Sequence, residues 1–110
     1  MVATDAPLNS QQLSRLARRA GLGLARTGSV AHHGSGEIFL GFSTSARSPA
    51  TEYGQDIDPL FAATVDATEE AVLNALWNAQ STEGREGRVV EALPHDATLE
   101  LLGAHRRLER

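Results

Sequence analysis

Hydrophobic residues alternate with polar or small residues most clearly in residues 34–44, and this pattern predicts an extended strand. Alternate side chains of a strand share one face. Ile38, Leu40 and Phe42 therefore form an apolar row that needs a core. The opposite face carries Ser35, Glu37, Phe39, Gly41 and Ser43. We expect the first face to be scaffold and the second to be a possible site.

The residues before this strand predict a short strand and a helix. Residues 1–4 are a brief apolar segment that resembles the end of a strand. A strand of ordinary length is therefore expected to begin upstream of residue 1. Asn9 is a good N-cap and Gln12 stands in the capping-box position. A helix over residues 10–20 follows, and Gly21 is predicted to end it.

Residues 22–30 lie between glycines and lead into the strand at 34–44, which predicts a β-hairpin. His32 and His33 would then lie in the loop at its tip. Adjacent histidines on a strand point to opposite faces, and no third ligand follows nearby, so loop histidines explain them better than a metal site does. The prediction contains no metal and no cofactor.

The second half of the chain predicts two helices separated by a short strand. Asp58 and Pro59 are a strong helix start, and the apolar spacing continues to about residue 80. Residues 81–88 are predicted to form an exposed turn, and residues 89–93 a brief strand. Pro94 breaks that strand, Asp96 is the predicted cap, and a last helix covers residues 97–108.

This order of elements predicts a single α+β domain over residues 1–110, with a mainly antiparallel sheet and covering helices. Two helices can cover only one face of a sheet of three or four strands. The far face is therefore expected to meet a surface that this chain does not supply.

Composition narrows the functional classes. The formal net charge is −4, which argues against a nucleic-acid surface. The chain has no cysteine, so thiolate nucleophiles, disulfides and cysteine zinc sites are excluded. No apolar run has the length of a membrane span, and the default prediction is a soluble cytoplasmic protein without a membrane partner.

Ser35 and Glu37 are the candidate catalytic residues. A hydroxyl and a carboxylate two positions apart on a strand lie side by side, so the carboxylate can orient the hydroxyl or accept its proton through a short relay. A solvated strand start with a loop serine explains the same spacing, and the spacing alone favours that reading.

Several short motifs, which together span nearly the whole chain, resemble one family of enzymes. They are ATDAPL at 3–8, LARRA at 16–20, GLARTGS at 23–29, GSGEI at 34–38, FST at 42–44, ATEEA at 67–71 and ALPHD at 92–96. Together they are similar to the self-processing L-aminopeptidase/D-esterase family, which includes the β-aminopeptidases. The chain resembles most of the β subunit of such an enzyme.

The resemblance implies a four-layer αββα sandwich of the N-terminal-nucleophile type. In that family a precursor cuts itself into an α and a β subunit, and the first residue of the β subunit is the nucleophilic serine. By position, Ser35 and Glu37 match the residues that accompany this nucleophile, with Glu37 orienting or accepting a proton and Ser35 relaying the hydrogen bond. The nucleophile would lie just upstream of Met1, and the oxyanion-hole donor would belong to the α subunit.

Two functions remain open at this point. The chain is either the β portion of a serine aminopeptidase acting on small peptides, amides or esters, or a non-catalytic remnant or assembly module that pairs with a partner chain. The expected partners are an α-subunit-like chain or segment, a small peptide or amide substrate, and further copies of the chain in a homo-oligomer. The first function predicts that residues 1–110 alone are inactive, because Met1 has no hydroxyl to act as a nucleophile.

Overall fold

The structure is a computed structural model that describes residues 1–34, 36–45, 57–105 and 107. The chain divides into two compact units, Met1–Val72 and Leu73–Arg110. No helix in the described part of the chain is long and apolar enough to cross a membrane.

The first unit contains a two-stranded sheet and two helices. Its strands are β1, Val2–Thr4, and β2, Gly41–Ser43. Its first helix, α1, is Ser10–Arg26, and the second, α2, is Asp58–Asn78, which continues into the second unit. Helix α2 confirms the predicted helix from residue 58 closely, with Asp58 as its first residue rather than its cap.

Strands β1 and β2 pair in parallel, with Val2 opposite Gly41 and Thr4 opposite Ser43. Hydrogen bonds from Val2 N to Leu40 O and from Thr44 N to Thr4 O extend this pairing at both ends. The predicted hairpin and the mainly antiparallel sheet are therefore wrong in this unit. The connection between the two strands contains α1, which is the crossover that a parallel pair requires.

Helix α1 begins as predicted and ends later than predicted. The backbone N–H of Gln12 donates to Asn9 Oδ1 and the N–H of Asn9 donates to Gln12 Oε1, both at 2.9 Å, which completes the capping box. The helix continues through Gly21 to Arg26, so residues 22–26 are helical and not part of a hairpin.

Gly28, and not Gly21, is the glycine that ends α1. Its φ is +98°, in the left-handed region that glycine adopts without steric cost. The N–H of Gly28 donates to Ala25 O and the N–H of Ser29 donates to Leu24 O, which is the Schellman arrangement. The Thr27 hydroxyl adds a bond of 2.7 Å to Leu24 O.

The core of the first unit lies between α1, α2 and the start of the chain. Its buried residues are Ala6, Leu8, Leu16, Ile57 and Phe61, with Val2, Leu13 and Leu60 packed against them. The buried face of α1 is formed by Leu16, Ala17 and Ala20. The guanidinium of Arg19 lies 4.1 Å from the centre of the Phe61 ring and covers this core from outside.

The second unit contains a β-hairpin and a helix. Strands β3, Thr82–Glu83, and β4, Val89–Val90, pair antiparallel around a 3₁₀ turn at Arg85–Gly87. Helix α3 is His95–Ala104, two residues earlier than predicted, because Pro94 and not Asp96 is its N-cap. The ring of His95 stacks on Trp77 with centroids 4.3 Å apart.

The apolar stripe predicted along α2 is buried only at its start. Phe61 and Thr64 are buried, whereas Leu73, Leu76 and Trp77 are exposed. The apolar spacing that predicts α2 therefore continues beyond the part of the helix that is buried.

Candidate active site

The segment at residues 36–43, which ends in β2, presents Phe39 and Gly41 to helix α1, and not its apolar row. A Cβ placed on Gly41 would lie 2.9 Å from Leu13 O and 3.3 Å from Ala17 Cβ, so the backbone of β2 is in close contact with α1. A Cβ on Gly21 would lie 3.3 Å from Cζ of Phe39. The helix therefore covers the face that carries Phe39 and Gly41.

The predicted apolar row lies on the other face and is exposed. Ile38 is 92% exposed, Leu40 59% and Phe42 41%. The expectation that this row packs into a core is wrong for the described residues. The sheet does have an uncovered face, as expected. That face carries Ile38, Leu40 and Phe42, the row that was predicted to pack into a core.

The structure describes only one of the two candidate catalytic residues, Glu37. Ser35 lies outside the described residues, so its pairing with Glu37 stays a prediction. Glu37 is half-buried and lines a cleft of about 300 Å³ in the first unit. Glu37 thus lies in a concave surface, where an acid or base group can meet a small molecule.

Helix α1, the loop after it and the residues just before β2 build this cleft together. The lining residues are Gly21, Leu24, Ala25, Ser29, Val30, Ala31, Glu37 and Phe39. The wall is almost entirely apolar, and Glu37 is its one charged member among the described residues. We call this space the Glu37 cleft.

Ala31 has an unusual backbone conformation in the wall of the Glu37 cleft. Its φ is +47°, in the left-handed region that costs an alanine roughly 1–2 kcal/mol. The N–H of Ala31 lies 3.4 Å from Ser29 Oγ, within a loop that follows directly on the end of α1. Strained residues of this kind cluster at functional sites and ligand clamps.

Ionic contacts tie the end of α1 beside this cleft to α2. Nη1 of Arg26 lies 2.5 Å from Asp66 Oδ1 and 3.2 Å from Glu69 Oε2. Hydrogen bonds to Asp66 and then to Glu69 raise the pKa of Arg26 above its usual value. These contacts are exposed, so they add little stability.

His32 and His33 lie in the loop between α1 and β2, as loop histidines, although no hairpin surrounds them. Among residues 1–34, 36–45 and 57–105, no three histidine, aspartate or glutamate side chains are grouped to hold a metal ion.

Sequence reasoning missed the residues that form the wall of the cleft. Leu24 and Ala25 were predicted to lie in a hairpin strand paired with the strand of Glu37, whereas they lie on the last turn of α1. The signal that could have placed them is the Thr27-Gly28 pair, which is a better helix end than Gly21 because the apolar spacing of α1 continues to Leu24.

Comparisons with known proteins agree in pointing to one family. Residues 1–90 match the model of peptidase family S58. The beta-peptidyl aminopeptidase BapA of Sphingosinicella microcystinivorans is 37% identical over 118 residues, an alignment that covers 98% of this chain and 30% of that protein. The chain therefore spans about a third of the length of the curated relatives it matches.

Two solved structures share the fold of this chain. A protein of Pyrococcus horikoshii superposes with a TM-score of 0.80 at 42% identity, over 94% of this chain and 32% of its own. The L-aminopeptidase D-Ala-esterase/amidase of Ochrobactrum anthropi gives a TM-score of 0.78 at 34% identity, over 96% of this chain and 32% of its own. The latter is described as a prototype of the serine aminopeptidases and a variant of the Ntn hydrolase fold.

Proposed function

The chain belongs to peptidase family S58, and from that membership we propose that it is the β-subunit-like part of a serine aminopeptidase. The proposed reaction removes N-terminal residues from small peptides, amides or esters. The match of residues 1–90 to the family carries this proposal. The names of its relatives, a beta-peptidyl aminopeptidase and an L-aminopeptidase, support the substrate class.

The proposed chemistry is acyl transfer through a serine nucleophile. The serine oxygen attacks the carbonyl carbon of the first residue, the amine or alcohol leaves with a proton, and water then hydrolyses the acyl-enzyme. The family resemblance assigns the nucleophile to the residue before the segment that matches β1. Glu37 is proposed to orient or accept a proton in these steps, and Ser35 to relay the hydrogen bond.

The exposed sheet face supports an α-subunit-like partner. Ile38, Leu40 and Phe42 form a row that a second sheet would bury in a four-layer αββα sandwich. We propose that the partner segment supplies this second sheet and the oxyanion-hole donor. A homo-oligomer in the cytoplasm is part of the same proposal.

A non-catalytic assembly module is the second candidate, and the same apolar row favours it. A surface of this kind requires a partner whether or not the chain retains any chemistry. The two candidates differ in one property: only the first needs the carboxylate of Glu37.

The first test therefore replaces Glu37 in the protein isolated with any chain that accompanies it. We expect Glu37→Gln to lower the turnover of alanyl and β-alanyl p-nitroanilides by about 10²–10⁴-fold, because an amide cannot accept a proton. The matched control is Glu70→Gln, which makes the same change at an exposed position of α2. Circular dichroism establishes that both variants are folded.

Two outcomes would overturn the aminopeptidase proposal. One is a parental protein that releases no nitroaniline from either substrate, and the other is a Glu37→Gln variant as active as Glu70→Gln. A related expectation is that residues 1–110 alone release none, because their first residue has no hydroxyl. Release by that isolated segment that Ser35→Ala abolishes would make Ser35 the nucleophile of a different mechanism.

A further inference from the structure

A second cleft lies along the first half of α1, nearer the start of the helix than the Glu37 cleft. Its volume is about 390 Å³, within the range of roughly 300–1,000 Å³ for small-molecule sites. Residues of α1 form one side and residues 39–41, at the start of β2, form the other. Of the described lining residues only Phe39 also lines the Glu37 cleft, so the two spaces are separate. We call the second space the Arg18 cleft.

The α1 side of the Arg18 cleft is polar. Ser10, Ser14 and Arg18 follow one another at intervals of four residues, so they lie along one face of the helix, and all three are exposed. Each hydroxyl offers one O–H donor, and the guanidinium offers five N–H donors and a positive charge. No carboxylate is present among the described residues that line this cleft. The polar side therefore favours an anionic occupant.

Arg18 differs from the other arginines of α1 in its contacts. The guanidinium groups of Arg15 and Arg19 lie 5.2 Å and 4.1 Å from the centre of the Phe61 ring. Arg26 is bonded to two carboxylates of α2. Arg18 has neither an ion pair nor a ring contact with any residue that the structure describes. Its guanidinium can therefore pair with an anion that enters the cleft.

The opposite side of the Arg18 cleft is apolar and accessible. Leu13, Phe39 and Leu40 line it, and the exposed fractions are 37% for Phe39 and 59% for Leu40. A small inorganic anion would leave this surface in contact with water. A ligand that carries an apolar group would cover it, which is favourable because apolar surface is removed from water.

We propose that the Arg18 cleft binds small monocarboxylates that carry an apolar group. The guanidinium of Arg18 receives the carboxylate in a planar, bidentate pair, and the hydroxyl of Ser14 donates to a remaining lone pair. The apolar group packs on Phe39 and Leu40. One guanidinium balances the single charge of a carboxylate, whereas a phosphate dianion would keep an unbalanced charge. This binding does not depend on the proposed aminopeptidase function.

Three small molecules test the ligand class. Phenylacetate is the probe, phenylacetamide has the same ring without the charge, and acetate has the same charge without the ring. Each is titrated into the protein, isolated with any accompanying chain, and followed by saturation-transfer NMR. We expect phenylacetate to bind at millimolar concentration, and each of the other two to bind at least about tenfold more weakly. The proposal is overturned if phenylacetate does not bind, or if either of the others binds equally well.

Arg18→Gln tests the position of the site. Glutamine is about as good a helix former as arginine, and the position is exposed, so the fold should be kept. We expect phenylacetate to bind this variant about tenfold more weakly, because a charged hydrogen-bond donor is lost. The matched control is Arg88→Gln, which makes the same change at an exposed position of the second unit and should bind as the parent does. Equal affinities of the two variants would refute the assignment to this cleft.

A second pair of variants supplies Arg18 with a carboxylate from the helix itself. Ser14→Glu places an acid four residues before Arg18, the spacing at which a glutamate pairs with a basic residue on a helix. That side chain should compete with phenylacetate for the guanidinium. Ser14→Gln adds a side chain of the same size without the charge, so it should retain more phenylacetate binding. If the two variants bind phenylacetate equally, the charge of Arg18 does not hold the ligand, and the proposal is wrong.

Discussion

Gly23 lies where α1 packs closely against α2, and a side chain at this position would collide with α2. A Cβ at this position would lie 2.4 Å from the carbonyl oxygen of Val65 and 2.7 Å from Cβ of Thr68. The nearest of these atoms belongs to the backbone of α2, which cannot turn away as a flexible side chain can. The two helices therefore need glycine here, although glycine is a poor helix former.

Gly23→Ala should destabilise the protein despite its better helix propensity. Overpacking of a tight contact costs about 1–3 kcal/mol, and the propensity gain returns at most about 1 kcal/mol. We expect a net loss of roughly 1–2 kcal/mol in the free energy of unfolding, measured by urea denaturation with circular dichroism.

The control for this prediction is Gly21→Ala in the same helix. Its Cβ would lie 3.3 Å from the far end of the Phe39 ring, which can shift by a few tenths of an ångström. We expect Gly21→Ala to be nearly neutral or slightly stabilising. Equal losses in the two variants would show that close approach at Gly23 is not what requires glycine.

At the scale of elements, the start of α1 depends on the capping box. The reciprocal bonds of Asn9 and Gln12 satisfy one N–H group at the start of the helix and the N–H of the cap residue itself. Asn9→Ala should lower the free energy of unfolding by about 0.5–2 kcal/mol. Gln11→Ala, an exposed change in the same turn, should have almost no effect in the same denaturation experiment.

Strands β1 and β2 form a short parallel pairing between distant parts of the chain. The pairing joins residues about 40 positions apart, and only the three pairs from Val2 to Thr4 are in register. Residues 36–40 lead into β2 without regular secondary structure, and Glu37 and Phe39 lie beside the end of α1. The position of the candidate site therefore depends on α1 and β2 together, and on neither element alone.

At the scale of the whole molecule, the exposed apolar row predicts association. Isolated residues 1–110 should self-associate or be poorly soluble, because Ile38, Leu40 and Phe42 present apolar surface next to an open strand edge. Sedimentation velocity should show species larger than a monomer as the concentration rises. Replacing Ile38 and Leu40 by threonine should shift the distribution towards monomer.

The control experiment introduces two threonines at another exposed apolar surface. Val89 and Val90 are also exposed, in the hairpin of the second unit, and their replacement by threonine should leave the association unchanged. A monomer at high concentration for the parental segment would contradict the prediction. If the two threonine substitutions in the hairpin reduce association as much as those at Ile38 and Leu40, association is not specific to the sheet face.

The amino-acid sequence by itself determined the features that depend on neighbouring residues. Asn9 and Gln12 predict the start of α1, Asp58 and Pro59 predict α2, and Pro94 predicts the break before α3, because caps and prolines act within one turn of backbone. The family resemblance also came from residues in the sequence, and the match of residues 1–90 confirms it. The catalytic role of Glu37 is likewise predicted from its position in the GSGEI motif of the family.

Only the tertiary structure decided which face of β2 is covered and how closely α1 lies against α2. Helix α1 extends through Gly21 to Arg26, and Gly23 lets this extension lie close to residues 65 and 68 of α2. That extension carries Leu24 and Ala25 to the cleft beside Glu37. The alternation in residues 34–44 defines two faces, yet the docking of α1 on Gly41 chooses between them, because glycine permits the closer approach and the bulky row is left for another surface.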